Sequence, residues 1–220
     1  MTLEQKLKKK HLEKLLSALE INPSPKVEWE QYTSSSEVAA SLLFIAAFTF
    51  NDIVGHEVFD LGCGNGMLGI GAALIGAKRV VGIDLDPRVL NIARRNSLKA
   101  GVSNLIDFIA TDVESVIGSP ETVLQNPPFG VQRKSSDRIF LKKGIELADV
   151  IYTIHKYGLK NRKFITQFVP KNGGQVDRII HMRMPLPPTL PFHTKRKHMI
   201  DVDIYRILKS ERKQPFLNNQ

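Results

Sequence analysis

The chain has 220 residues, 42% hydrophobic and 24% charged, enough apolar material for a sizeable core in one unit. No run of about 18 apolar residues occurs, so no membrane span is expected, and the basic N-terminus lacks the continuous apolar stretch of a secretory signal. One cysteine, Cys63, excludes an intramolecular disulfide and a cysteine-based zinc cluster; six scattered histidines suggest no metal site; a net charge of +9 favours polyanions, nucleic acid first. A cytoplasmic protein is the expectation.

Residues 2–20 read as an amphipathic helix, with Leu3, Leu7, Leu12, Leu15, Leu16 and Leu19 at helical spacing. Lys6, Lys8, Lys9, Lys10 and Lys14 cover the rest, a block suited to phosphates. Asn22, Pro23 and Pro25 break the helix. A second helix is expected from near Ser34, where Ser34 and Glu37 have capping-box spacing ahead of an apolar run over 38–50. From residue 57 strands (57–61, 79–83, 105–110, 122–125, 150–154) alternate with helices (67–75, 87–100, 140–148, 160–168). That alternation implies right-handed crossovers and a mostly parallel sheet. Two further strands, 175–184 and 199–208, have no helix between them and read as an antiparallel pair. Their connection is proline-rich and carries Lys195, Arg196 and Lys197, a second candidate phosphate grip. Residues 1–50 are thus expected to pack as a helical segment on an α/β domain over 51–209, with a flexible tail over 210–220.

Asp60-Leu61-Gly62-Cys63-Gly64-Asn65-Gly66 follows the first strand and opens a helix. Gly62, Gly64 and Gly66 allow a tight turn and close approach of backbone to a ligand. Asp84 ends the second strand, where a carboxylate can accept both ribose hydroxyls of an adenosine. A dinucleotide site would need a third glycine at position 67, where Met67 stands, and would have no use for Asp60. Asp60 suits the ammonium of a methionine moiety, so S-adenosyl-L-methionine is the expected cofactor. Asp112, ending the third strand, either accepts an adenine amino group or caps a helix. Leu85 and Val113, which follow the two acids, are counted with the cofactor-binding set. Cys63 is a small residue in a tight turn.

Asn126-Pro127-Pro128-Phe129 follows the fourth strand, beside the cofactor turn in this fold class. An exocyclic amine presents two N–H donors, and the Asn126 side-chain oxygen and the Pro127 carbonyl can accept one each. Pro127 and Pro128 hold those acceptors rigid. Phe129 can stack on a base. These four residues are the expected catalytic set. The proton can leave afterwards, so no strong base is required.

Together these motifs resemble class I methyltransferases acting on amino groups. The resemblance extends to the methyltransferase-like protein five family of ribosomal-RNA N6-adenosine methyltransferases and its archaeal relatives. Glu30-Gln31-Tyr32, Asn126 to Gly130, Asp137, Phe140-Leu141, Ile154-His155-Lys156, Pro191-Phe192-His193 and the 200–203 segment follow that family's order, from about residue 28 to 208. It implies a Rossmann-like, doubly wound, seven-stranded, mostly parallel sheet with an antiparallel C-terminal hairpin strand. It implies methyl transfer to adenosine in small-subunit rRNA, with Gln31 and a nearby hydroxyl contacting the cofactor. Where the family often continues Gln-Tyr-x-Thr, this chain has Gln31-Tyr32-Thr33-Ser34, so Ser34 keeps a hydroxyl there. The eukaryotic members need a small zinc-binding activator subunit at an apolar sheet edge, and Leu105, Ile106, Phe108 and Ile109 offer such an edge. Protein glutamine N5-methylation, where Tyr usually replaces Phe129, and guanine-N2 methylation of RNA are the alternatives.

Overall fold

A strand–helix–strand unit returns each strand alongside the last, so the alternation from residue 57 onward builds parallel pairs. The computed structural model describes residues 8–23, 35–128, 136–185 and 199–210. Its elements are α1 (Lys9–Ser17), α2 (Ser36–Phe44), β1 (Glu57–Leu61), α3 (Met67–Ile75), β2 (Arg79–Asp84), α4 (Pro87–Lys99) and β3 (Ile106–Ala110). Then follow β4 (Thr122–Gln125), α5 (Ser136–Leu147), β5 (Val150–Lys156), α6 (Leu159–Lys171), β6 (Gly174–Pro185) and β7 (Met199–Lys209). One seven-stranded sheet has the order β3-β2-β1-β4-β5-β7-β6. β1 to β5 pair in parallel, and β7 lies antiparallel between β5 and β6. The expected doubly wound sheet with its antiparallel hairpin is what forms. The chain winds outward from β1 through β2 to β3, then returns to β4 on the other side. The strand order therefore reverses between β1 and β4, the usual place for a ligand crevice.

Alternate side chains of each strand feed opposite faces. Leu124, Tyr152, Ile154, Val202 and Ile204 enter one core with α1, α2 and α3. Val123, Ile151, Tyr205 and Ile207 enter a second with α5 and α6. In α1 the buried stripe is Leu12 and Leu16, with Leu15 half-exposed at its margin; Leu3 and Leu7 lie outside the described residues.

Several boundaries differ from the sequence reading. α2 begins at Ser36 with Ser35 at its N-cap, and the Ser35 side chain makes no capping bond. Ser34 of the expected capping box lies outside the described residues, and burial over 38–43 holds the helix. α2 ends in one π turn, Ile45–Thr49. β5 runs two residues past the apolar stretch because β7 pairs with it as far as Lys156↔Val202. α5 starts four residues early, and α6 continues to Lys171 through Pro170, near its end. No helix among the described residues is long and apolar enough to cross a membrane.

Candidate active site

The glycine turn closes directly over the carboxyl end of β1. Cys63 N–H donates to Ile83 O (2.9 Å) and Gly66 N–H to Cys63 O (2.8 Å), which fold the turn onto the end of β2. Gly62 and Gly64 have φ of +68° and +55°, left-handed values that cost other residues energy. The two glycines differ in surroundings. A Cβ on Gly62 would lie 2.9 Å from the Phe140 ring of α5, whereas one on Gly64 would meet none of the described residues within 4 Å. Among the described residues, Gly64 thus leaves room for a ligand against its backbone. Gly66 sits at the N-cap of α3. Cys63 is buried, and burial pushes its thiol well up, so it is inert packing.

Asp84 accepts from Gly64 N–H at one carboxylate oxygen and from Asp86 N–H at the other, both at 2.9 Å. The strand end and the turn therefore aim it together, and each oxygen keeps a second acceptor site for a hydroxyl. Burial raises its pKa. Asp60 lies deeper, 1% exposed, with Oδ2 accepting from Gly69 N–H of α3 at 2.8 Å. Burial lifts it to about 7, with the Asp84 charge adding to the rise. A carboxyl so enclosed is ready to take a cation. Asp112 is exposed and accepts from Glu114 N–H (2.9 Å), capping the short 3-10 turn Val113–Ser115; the capping role is present, and its second oxygen remains for a ligand. Leu85 is exposed after Asp84, and Val113 half-buried.

Asn126 and Pro128 are half-buried and Pro127 buried at the carboxyl end of β4, next to β1. Asp60, the glycine turn, Asp84, Asp112 and Asn126 thus come together along the ends of β1 to β4. Gln31, Ser34 and Phe129 lie outside the described residues, as do Lys6 and Lys195 to Lys197.

Three features escape sequence reading. Gln125, fully buried, donates to Thr153 Oγ1 (3.2 Å), which hydrogen-bonds His155 Nε2 (2.9 Å). Burial depresses His155 to about 4, so it is neutral near pH 7. Asn96 of α4 bonds the backbones of Glu20 and Asn65, tying the segment after α1 to the cofactor turn. Phe140 packs on Gly62. For Gln125, His155 and Asn96 the local hint was polarity inside otherwise buried elements; Phe140 and His155 stood out through the family resemblance, without a role.

The fit to an adenosyl cofactor rests on this geometry: an open left-handed backbone cradle at Gly64, a two-oxygen acceptor at Asp84 and an enclosed carboxyl at Asp60. Comparison with known proteins agrees. The ribosomal protein L11 methyltransferase (PrmA) family matches residues 41–124, the cofactor half alone, stopping short of Asn126. An uncharacterized protein from Methanocaldococcus jannaschii is 40% identical, covering 92% of this chain and 95% of its own. The rRNA N(6)-adenosine-methyltransferase METTL5 of Danio rerio is 35% identical over 91% of this chain and 98% of its own. Among solved structures, PH1948 from Pyrococcus horikoshii, assigned provisionally to the RNA methyltransferases, superposes with a TM-score of 0.86. It is 36% identical and covers 93% of this chain and 99% of its own. Full-length similarity that carries through the Asn126 segment, beyond the cofactor half shared with PrmA, places the chain in the METTL5 family of rRNA N6-adenosine methyltransferases.

Proposed function

We propose that this chain methylates N6 of an adenosine in ribosomal RNA, small-subunit RNA being the first candidate, with S-adenosyl-L-methionine as donor. The observation that carries the reading is Asn126-Pro127-Pro128 at the end of β4, across the strand-order reversal from the glycine turn. When bound, the cofactor supplies an electrophilic sulfonium methyl group. The protein's task is to hold and aim. Asp84 takes the ribose hydroxyls, Asp60 the ammonium, and Asp112 with Leu85 and Val113 the adenine end. Gly62, Gly64 and Gly66 keep the backbone close, and Gln31 and Ser34 add contacts from the N-terminal side. Asn126 Oδ1 and the Pro127 carbonyl accept the two N–H groups of the target amine, keeping electron density on its nitrogen and its lone pair aimed. Phe129 stacks on the base.

Single-turnover methylation of an adenosine-containing rRNA fragment, with cofactor affinity measured in parallel, tests this. Asn126→Ala is expected to slow transfer on the order of a hundredfold, by analogy with losing one oxyanion-hole donor, while cofactor affinity holds. Phe129→Ala slows transfer and Phe129→Tyr retains most of it. Normal turnover by Asn126→Ala would reduce Asn-Pro-Pro to a turn. Nucleoside mass spectrometry of rRNA from a deletion strain reads the product: loss of N6-methyladenosine is expected, and loss of N2-methylguanosine instead would shift the target base.

The N-terminal segment is read as a helical cover on the catalytic domain, supported by Leu16 and Leu43 packing on Gly71 of α3. The exposed Lys8, Lys10 and Lys14 of the same segment are further candidates for RNA phosphates. A small zinc-binding activator subunit at the 105–109 segment is favoured by β3 being an outer strand of the sheet, with Ile109 48% exposed. Co-purification and a rise in melting temperature on adding such a subunit would test it.

A further inference from the structure

β5 continues beyond its pairing with β4 and carries a surface that the site described above does not use. Gln125 lies opposite Thr153, and Tyr157 follows four residues later, one residue past the end of β5 at Lys156. Tyr157 N–H donates to Asp201 O (2.9 Å), so the hairpin fixes its place. The residue is 41% exposed. The Arg162 guanidinium lies over its ring, 4.8 Å from the centroid, and the His181 ring meets it edge-on at 4.7 Å. Arg162 is itself held by two bonds to buried Asp203, at 2.7 and 2.8 Å, so the ring's support is rigid.

The charge around this ring is lopsided. The two carboxylates nearby are spent: Asp203 on Arg162 and His181, and Asp201 on His181 (3.3 Å) and Arg183 (3.5 Å). α6, which starts beside Tyr157, reads LKNRKFITQFVPK, with Lys160, Arg162, Lys163 and Lys171 and no acid. Lys160 and Lys163 are exposed and have no ion-pair partner among the described residues. An exposed, rigidly backed aromatic ring beside unpaired cations is the composition that single-stranded nucleic acid binds. The rings take bases by stacking and the cations take phosphates.

We propose that Tyr157, Lys160 and Lys163 bind the RNA strand flanking the target adenosine, a neighbouring base stacking on Tyr157 and the two lysines neutralising phosphates. The proposal rests on the RNA reading above. A target adenine presented to Asn126 must leave its own stack, and a surface that holds the flanking strand just past the end of β5 would keep it there.

The test uses the full chain and a fluorescently labelled rRNA fragment that the wild-type protein methylates. RNA affinity across a salt series, cofactor affinity and melting temperature are measured for Tyr157→Ala, Tyr157→Phe and Lys160→Ala/Lys163→Ala. Tyr157→Ala is expected to weaken RNA binding about tenfold or more, and Tyr157→Phe to stay within about twofold of wild type. The double lysine variant should reduce the salt slope by about 1.4, from roughly 0.7 per phosphate on a single strand. Cofactor affinity should hold in all three. Wild-type RNA affinity in Tyr157→Ala together with an unchanged slope in the lysine variant would overturn the proposal and leave this surface to a protein partner. Equal losses in Tyr157→Phe and Tyr157→Ala would also overturn it, since the ring would not be what binds. Failure of the RNA reading shows separately, as a wild-type chain that methylates no rRNA fragment.

Discussion

Asp60 is the residue whose environment says most about ligand chemistry. Its carboxyl is enclosed, has no cationic partner among the described residues, and is lifted to about 7 by burial. A carboxyl in unfolded chain titrates near 4. The folded state therefore binds the proton more tightly, so this group's contribution to stability is full below about pH 4 and is lost as pH rises through about 7. An ammonium placed beside the carboxylate would reverse that preference and expel the proton. S-adenosyl-L-methionine is accordingly expected to release a proton on binding near pH 6 to 7 and to bind more tightly as pH rises across that window. Its own amino group stays charged until roughly pH 8, the range of α-amino groups. Asp60→Asn keeps an oxygen for Gly69 N–H, so without cofactor it should melt no lower than wild type at pH 8. It should bind the cofactor about tenfold less tightly, the loss of roughly 1.4 kcal/mol, and release no proton. Calorimetry in buffers of different ionisation heat reads both quantities; an unchanged proton count in Asp60→Asn would remove Asp60 from the ammonium site.

At the scale of elements, α4 works as a bracket as well as a crossover. Asn96, fully buried in its middle, donates to Glu20 O (3.0 Å) and Asn65 O (2.9 Å) and accepts from Glu20 N–H (2.8 Å). Asn65 donates to the same Glu20 carbonyl (3.1 Å), and Arg95 holds the Glu20 carboxylate from outside. The segment after α1 is thereby bonded to the Gly62–Gly66 turn, the proposed cofactor cradle. Asn96→Ala leaves buried backbone groups without partners, at a cost of about 1–3 kcal/mol each. It should lower the melting temperature and also weaken cofactor binding several-fold; an unchanged cofactor affinity would show that the bracket serves stability alone. No local pattern announces Asn96, because its partner at Glu20 is 76 positions away. What was legible depended on local rules. β1, β4 and β5 read as short strands because both their faces are largely buried, whereas β3 at the sheet edge is mostly exposed; Asp60, Gly62, Gly64 and Asp84 stood out because strand ends and left-handed turns restrict residue choice. The described helix α2 starts at Ser36, two residues after the expected start, and is held by burial of all of 38–43, Ser41 included. β5 was cut short at Ile154 because His155, a titratable group, ends the apolar run while remaining buried against Tyr205.

Over the whole molecule, the antiparallel hairpin must be locked to the parallel sheet, since β7 forms no crossover with β5. Arg206 does much of this. It lies opposite Tyr152 in the β5–β7 register and donates to Asp52 at 2.8 and 3.1 Å and to Asp177 of β6 at 2.8 Å, with the Phe50 ring 4.3 Å from its guanidinium. Tyr152 donates its hydroxyl to the same Asp52 carboxylate. One side chain thus joins the segment after α2 to β5, β6 and β7, across 154 positions of sequence. The Arg206 side chain is 12% exposed and that of Asp52 10%, so water does little to replace a lost partner. Removing one member of such a pair leaves an uncompensated buried charge and costs about 3–5 kcal/mol, whereas replacing the whole set by apolar residues costs far less. Arg206→Met is therefore expected to lower the melting temperature by roughly 10 °C, at about 2–4 °C per kcal/mol for a chain of this size. Tyr152→Phe removes one hydrogen bond and should cost about 1 kcal/mol. Adding Asp52→Leu to Arg206→Met should recover part of the loss, since one stranded carboxylate is then gone. Thermal melts of the three variants decide it: an Arg206→Met protein melting within about 2 °C of wild type, or a double variant less stable than the single, would mean that hydrophobic pairing of β5 with β7 alone holds the hairpin in place.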